Sequence, residues 1–382
     1  MDNPFIHGEP VPPEDRAGLA DREEELDLLV RSMLGGRNVI VIAPRRYGKT
    51  SLLKRAVVEV RAKGGRSGWV SLGDCASPRD VAEAILAGVL SGPASWSQRM
   101  SAALRRRVEA LGATIRLRPA SGDTEAEIAV SLRPSAGGWR ETVADVLRTL
   151  RDAGEDAAPV SLVIDEFQTA HELDPALPAV VKRLTDELRG VSLVLSGSRR
   201  HLMTQLTSGK AAPLARIGTT IALPKVPREE MVDFLMRRAS AGGKMLADGV
   251  AEMIHDVAAG VPNEVQQLAW LTFEISPRRI QASAVETARS LLLRQARFEF
   301  EAIFAHVSPS ARRVLKVLAT EEPITSLASR AMVDRVEVAN ASGVMKAVRA
   351  LEREDLIELS PDGWRIANPF FKIWLAEHAG RE

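Results

Sequence analysis

The stretch Val39-Ile40-Val41-Ile42-Ala43-Pro44-Arg45-Arg46-Tyr47-Gly48-Lys49-Thr50 carries the reading of the fold. Four consecutive β-branched residues predict a buried strand, and the pattern from Lys49 to about Ala62 predicts a helix. Strand, loop, helix is the setting in which G-x-x-x-x-G-K-[ST] binds phosphate, and Gly48-Lys49-Thr50 matches the end of that motif. Such a loop turns backbone N–H groups and the helix N-terminus toward phosphate oxygens. Lys49 would reach the β- and γ-phosphates of ATP, and the Thr50 hydroxyl would bind Mg²⁺. Ala43, Pro44, Arg45, Arg46, Tyr47, Gly48, Lys49, Thr50 and Ser51 are the candidate nucleotide contacts. Ala43 stands where the motif's first glycine belongs, which matters only if φ there is positive. A chance Gly-Lys-Thr at a helix start is the competing reading, and the features downstream weigh against it. Arg45 and Arg46 are open to phosphate, an acidic partner or solvent, and Tyr47 needs no role beyond packing.

Working outward, the runs 69–72, 160–164, 191–195 and 219–223 also read as buried strands, with helical patterns at 78–90, 141–153 and 176–188 between them. Strands alternating with helices predict an α/β protein around a mostly parallel sheet. Residues 99–140 interrupt this rhythm. Period-two alternation at Ile115 and Leu117, then Ile128, Val130 and Leu132, around Ser121-Gly122-Asp123 predicts a hairpin inside that insertion. Residues 1–20, with four prolines, read as an extended arm. A helix follows, with Asp21 as its cap and Glu23, Glu24 and Glu25 in its first turn. The ATPase-type core spans 21–226. From Pro227 the strands stop, and 227–304 read as a small helical domain. Residues 305–382 carry helices, then two short strands around Ser360-Pro361-Asp362-Gly363, the pattern of a winged helix-turn-helix.

Val160-Ser161-Leu162-Val163-Ile164-Asp165-Glu166 is an apolar strand ending in two carboxylates. Asp165 is the candidate Mg²⁺ ligand, and Glu166 is placed to orient and deprotonate the attacking water. A solvated strand end explains one such acid, but less well a pair downstream of a phosphate loop. The next strand ends Leu193-Val194-Leu195-Ser196-Gly197-Ser198. Ser196 is the candidate sensor of the γ-phosphate, Ser198 the alternative, and an ordinary strand exit is an equal competitor.

Composition limits the rest. The 382 residues include 51 basic and 50 acidic side chains, a net charge of +1, which excludes a uniformly basic coat for nucleic acid and an acidic solvating chain. The 45% hydrophobic content excludes disorder as the general description. One cysteine, Cys75, leaves no intramolecular disulfide and no cysteine zinc site. The first residues lack the pattern of a secretory leader, and no run approaches the ~18 apolar residues of a membrane helix. A cytoplasmic location is expected.

Divided by segment, the charge is uneven. Residues 99–140 hold eight basic against four acidic side chains, including Arg105, Arg106 and Arg107 in a row, and a solvated helix face is the commoner explanation. Residues 298–382 hold eleven basic against thirteen acidic. Lys346, Arg349 and Arg353 nevertheless share one side of the predicted recognition helix, which in such folds enters the major groove. A net negative winged helix is a poor nonspecific DNA binder, so a protein-contact or regulatory module is at least as good a reading.

NPFIHGEPV, ADREEELDLL, APRRYGKTSLL, LVIDEFQ, LVLSGSRRHLM, PLARIGTTIALPKV and AAGVPNEVQQLA, in that order, resemble the archaeal-type ATPase family, in the AAA+/STAND branch of P-loop NTPases. The motifs cover residues 3 to 275. The resemblance implies an ASCE sheet with the sensor strand between the phosphate-loop and acidic strands, then a helical lid over the nucleotide. It also places at Arg216 an arginine finger that would act on a neighbouring subunit if the protein forms a homo-oligomer, with a surface arginine in an arginine-rich chain as an equal reading. Pro262, in Gly260-Val261-Pro262, would approach the nucleotide, and Val11, Pro12 and Arg22 would line the adenine site. The leading expectation is a Mg²⁺-dependent ATPase that couples ATP turnover to conformational change, with DNA or a protein as partner. The alternatives are a nucleotide-gated signalling or scaffold module with little turnover, and a DNA-binding regulator.

Overall fold

The computed structural model describes residues 3–91, 102–118, 127–153, 158–188, 190–209, 212–360 and 362–378. Arg99, the Ser121-Gly122-Asp123 turn and Pro361 lie outside the described residues. The chain divides into two compact units: Pro12–Pro44 with Lys49–Pro224, and Met1–Val11 with Arg45–Gly48 and Lys225–Glu382.

The first unit is the α/β core. Its elements in chain order are α1 (Glu23–Leu34), β1 (Val39–Ile42), α2 (Lys49–Ala62), β2 (Arg66–Ser71) and α3 (Pro78–Leu90). There follow α4 (Ala102–Ala110), β3 (Thr114–Arg118), β4 (Glu127–Ser131), α5 (Trp139–Ala153), β5 (Val160–Asp165), α6 (Gln168–Leu173) and α7 (Leu177–Thr185). The unit ends with β6 (Val191–Gly197), α8 (Arg200–Thr207) and β7 (Thr219–Ala222). Five strands pair in the order β2-β5-β6-β1-β7, every pair parallel. The sensor-type strand β6 therefore lies between β5 and β1. Every residue of β1, β5 and β6 is buried, as expected of parallel strands covered on both faces. Ile164, Leu162, Leu193 and Leu195 join Ile85, Leu86, Leu147 and Leu150 of the flanking helices in one core.

Two details depart from the sequence pattern. Asp21 does not cap α1: it sits at φ +44°, Arg22 takes the cap position, and the Arg22 N–H is accepted by the Glu23 carboxylate at 2.9 Å. The three first-turn glutamates favour the helix dipole without it. The period-two alternation does give the hairpin, with Ile115 opposite Val130 and Leu117 opposite Ile128.

The second unit continues with α9 (Arg228–Ala241), β8 (Met245–Leu246), α10 (Val250–Val257), α11 (Pro262–Ile275), β9 (Arg279–Ile280), α12 (Ala282–Gln295) and α13 (Arg297–His306). The strands do not stop at Pro227, because β8 and β9 pair in parallel. Two residues per strand are too few for periodicity to register. Residues before Val11 run beside α11. The Asn3 amide donates to the Trp270 carbonyl at 3.0 Å, Gln266 accepts the Ile6 N–H at 3.2 Å, and Asn263 accepts the Gly8 N–H at 3.1 Å.

Next come α14 (Pro309–Glu321), α15 (Arg330–Val336), α16 (Ala341–Arg353), β10 (Ile357–Ser360), β11 (Gly363–Ile366) and α17 (Pro369–His378). Ser308, Ser329 and Asn340 cap the first three of these helices through side-chain oxygens. β10 and β11 form an antiparallel wing, and Ile324 bridges to Trp364 beside it. This is a winged helix-turn-helix followed by one more helix. Among the described residues, no helix is long and apolar enough to cross a membrane.

Candidate nucleotide site

The C-terminal ends of β1, β5 and β6 lie side by side because the three strands are adjacent and parallel. Lys49 opens α2, Asp165 ends β5, and Ser196 is the penultimate residue of β6. Lys49 is 5% exposed, and its ammonium donates to Glu166 Oε1 at 2.9 Å, to Ser196 Oγ at 3.1 Å and closely to Asp165 Oδ1. Thr50 Oγ1 donates to Asp165 Oδ2 at 2.8 Å, and Ser196 Oγ donates to Asp165 Oδ1 at 2.6 Å. Residues that the sequence places far apart thus share one hydrogen-bonded cluster.

Burial pushes the Asp165 carboxyl upward, but the Lys49 charge and the hydrogen bonds from Lys49, Ser196 and Thr50 outweigh it. The group is held below the ordinary carboxylate range. Glu166 follows the same balance, with burial opposed by Lys49 and by the hydrogen bond from Gln168. Both acids are therefore ionised near neutral pH.

Glu166 sits at φ +54°, an uncommon conformation for a non-glycine residue. Its other oxygen, Oε2, accepts from Ser198 Oγ at 2.8 Å and from the Gln168 amide. The two serines contact different acids: Ser196 touches Asp165 and Lys49, while Ser198 donates to Glu166. Gln168 escaped the sequence reading, and its only signal was its position two residues beyond Glu166.

The residues present fit a nucleotide and Mg²⁺. Thr50 and Asp165 put two hard oxygen donors within hydrogen-bond distance, and Mg²⁺ takes one or two protein oxygens and fills its octahedron with water and phosphate. Gly48 has φ +80°, and a Cβ built there meets nothing within 4 Å, so the turn demands glycine for conformation, not for space. Ala43 is absent from the residues with positive φ, which is why alanine is tolerated at the first motif position. The first N–H groups of an α-helix have no partner within the helix, and it is such groups that bind anions at helix N-termini.

Arg45, Arg46, Tyr47 and Gly48 count with the second unit. There Arg46, at φ +71°, pairs with Glu264 of α11, and its carbonyl accepts the Asn263 N–H at 3.1 Å. Arg45 pairs with Asp355 at 3.0 Å, and the Tyr47 hydroxyl donates to Glu358 at 3.3 Å. Pro262 is the first residue of α11. Gly260 before it has φ +66°, and a Cβ there would meet His255 Nε2 at 2.7 Å. Val11 is buried in the same unit. In the first unit Pro12 is exposed, and Arg22 is buried against the Pro224 carbonyl at 2.6 Å and Glu25 at 3.2 Å. Arg216 is exposed at φ +59° in the turn before β7.

The fold is that of a P-loop ATPase carrying a C-terminal winged helix domain. Residues 298–377 match the family model described as a probable winged helix domain. Among solved structures, a Walker-type ATPase of Pyrococcus abyssi is similar over 96% of this chain and 99% of its own, with TM-score 0.66 and 17% identity. The Aeropyrum pernix ORC2 protein, solved in ADPNP–ADP complexes, is similar over 98% and 96%, with TM-score 0.59 and 16% identity. The ORC1 protein of the same organism, solved in complex with DNA, is similar over 96% and 95%, with TM-score 0.51 and 17% identity. No curated protein matches the sequence.

Proposed function

We propose that the protein is a Mg²⁺-dependent ATPase whose nucleotide state sets the conformation of its C-terminal unit. The observation that carries this reading is the buried cluster of Lys49, Thr50, Asp165, Glu166 and Ser196 at three adjacent strand ends. Without nucleotide, Lys49 neutralises two carboxylates. With nucleotide bound, Lys49 would turn its ammonium to the β- and γ-phosphates, and Thr50 and Asp165 would hold Mg²⁺. The chemistry a metal held there would supply is charge neutralisation on the phosphates and Lewis acidity. Glu166, released by Lys49 but still gripped through Oε2 by Ser198 and Gln168, accepts the proton of the attacking water. Ser196 reports on the γ-phosphate, and exposed Arg216 is available to a second copy as an arginine finger. Glu166→Gln should retain ATP and lose turnover. Equal, near-zero turnover in both proteins would refute the ATPase reading.

DNA is the partner class favoured by one observation. Lys346, Arg349 and Arg353 are all exposed along one side of α16, and the ORC1 structure holds DNA. Reversing Lys346 and Arg349 to Glu should abolish an electrophoretic shift at low salt. An unaffected shift would exclude α16 as the contact.

A further inference from the structure

Three consecutive variable positions of the motif are each tied to an acidic side chain of the same compact unit. Arg46 meets Glu264 in the first turn of α11, Arg45 meets Asp355 just after α16, and Tyr47 meets Glu358 on β10. Glu358 also forms an ion pair with Arg365 of β11 at 2.9 Å, so Tyr47 is joined to both strands of the wing. We propose that these three contacts form a latch by which the winged helix grips the phosphate loop, and that nucleotide phosphate competes with the latch. The proposal rests on the nucleotide-binding reading above and adds its regulation.

Three features make the latch responsive. Glu264 is 0% exposed and its Oε2 has no hydrogen-bond partner, so Arg46 is its principal compensation; burial already pushes this carboxyl above the ordinary range, and losing the pair favours its neutral form. The Arg46 side chain is 43% exposed, so its planar fork remains accessible to an incoming oxyanion. Arg46 itself holds a left-handed conformation, and the Asn263 N–H on its carbonyl helps maintain it. Phosphate bound by the loop's N–H groups offers Arg45 and Arg46 a stronger anion than a single carboxylate and draws them from Asp355 and Glu264. The wing is then released at one end of its hairpin. By reciprocity, whatever nucleotide does to the latch, breaking the latch does to nucleotide affinity.

The test uses the full chain and Mg²⁺-ADP, titrated calorimetrically. Asp355→Ala combined with Glu358→Gln should bind roughly 5–20-fold more tightly than wild type, the lower range of typical coupling. Glu321→Gln breaks the winged helix surface pair with Arg335, which touches no loop residue, and should bind as wild type does. In wild type, Mg²⁺-ADP should accelerate amide hydrogen exchange in β10 and β11. Equal affinity of wild type and the double variant, or weaker binding by the variant, would overturn the latch while leaving the ATPase reading intact. Absence of Mg²⁺-ADP binding by wild type itself would overturn both.

Discussion

Lys49→Met should destabilise the nucleotide-free protein, not merely disable it. The ammonium and the Asp165 carboxylate are 6% and 3% exposed as side chains, and the same nitrogen serves Glu166 and Ser196. Methionine keeps the apolar stem packed but leaves two neighbouring carboxylates facing one another without a cation. Removing one partner of a buried ion pair costs about 3–5 kcal/mol. For a unit of this size, where each kcal/mol lowers Tm by about 2–4 °C, that is roughly 6–20 °C. Asp165→Asn alone should also destabilise, because it leaves Lys49 undercompensated. The double variant removes the pair together, so its loss should fall short of the sum by about 2–3 kcal/mol. The assay is thermal unfolding of the four proteins at pH 7.5 without nucleotide or Mg²⁺. A Lys49→Met melt within about 2 °C of wild type, or losses that simply add, would refute the view that Lys49 holds this cluster together.

Two further predictions concern groups away from this cluster. Burial first, then Asp80 and Asp74, push the half-buried Cys75 thiol from 9.0 up to about 11. At pH 8 its alkylation by iodoacetamide should therefore be about 100-fold slower than that of a free thiol, because the thiolate is the nucleophile; a rate near that of glutathione would contradict this. Asp256 is held down at about 2 from 3.8 by its hydrogen bonds from Arg228 and then His255. A depressed native pKa contributes stability that is fully present above the unfolded value and lost as pH falls from about 4 toward 2. The pair is surface-exposed, so Asp256→Asn should cost under about 1 kcal/mol at pH 6. That gap in urea midpoint should narrow by pH 3, and a gap constant with pH would count against the pairing.

What is legible in the chain is what short windows encode. The apolar runs of β1, β5 and β6 and the helix opening at Lys49 are local patterns, and they sufficed for the α/β core and the chemistry expected of Lys49, Thr50, Asp165 and Glu166. The same holds for the winged helix, where capping residues and a turn mark each element. The two-residue strands β8 and β9 lie below the resolution of any period, and Asp21 looked like a cap because composition does not report φ.

By itself the sequence determined the longer elements and the candidate chemistry, because backbone propensity and side-chain type are properties of neighbours in the chain. Only the tertiary structure decided which candidates lie together. Lys49 and Asp165 are 116 residues apart, and Lys49 and Ser196 are 147 apart, so their meeting depends on β6 lying between β5 and β1. It placed Ser196 on Asp165 and Ser198 on Glu166. It also decided that Arg45, Arg46 and Tyr47, left open in the sequence, end on Asp355, Glu264 and Glu358. Charge pairing across such separations is set by strand order and packing, and no local pattern contains it.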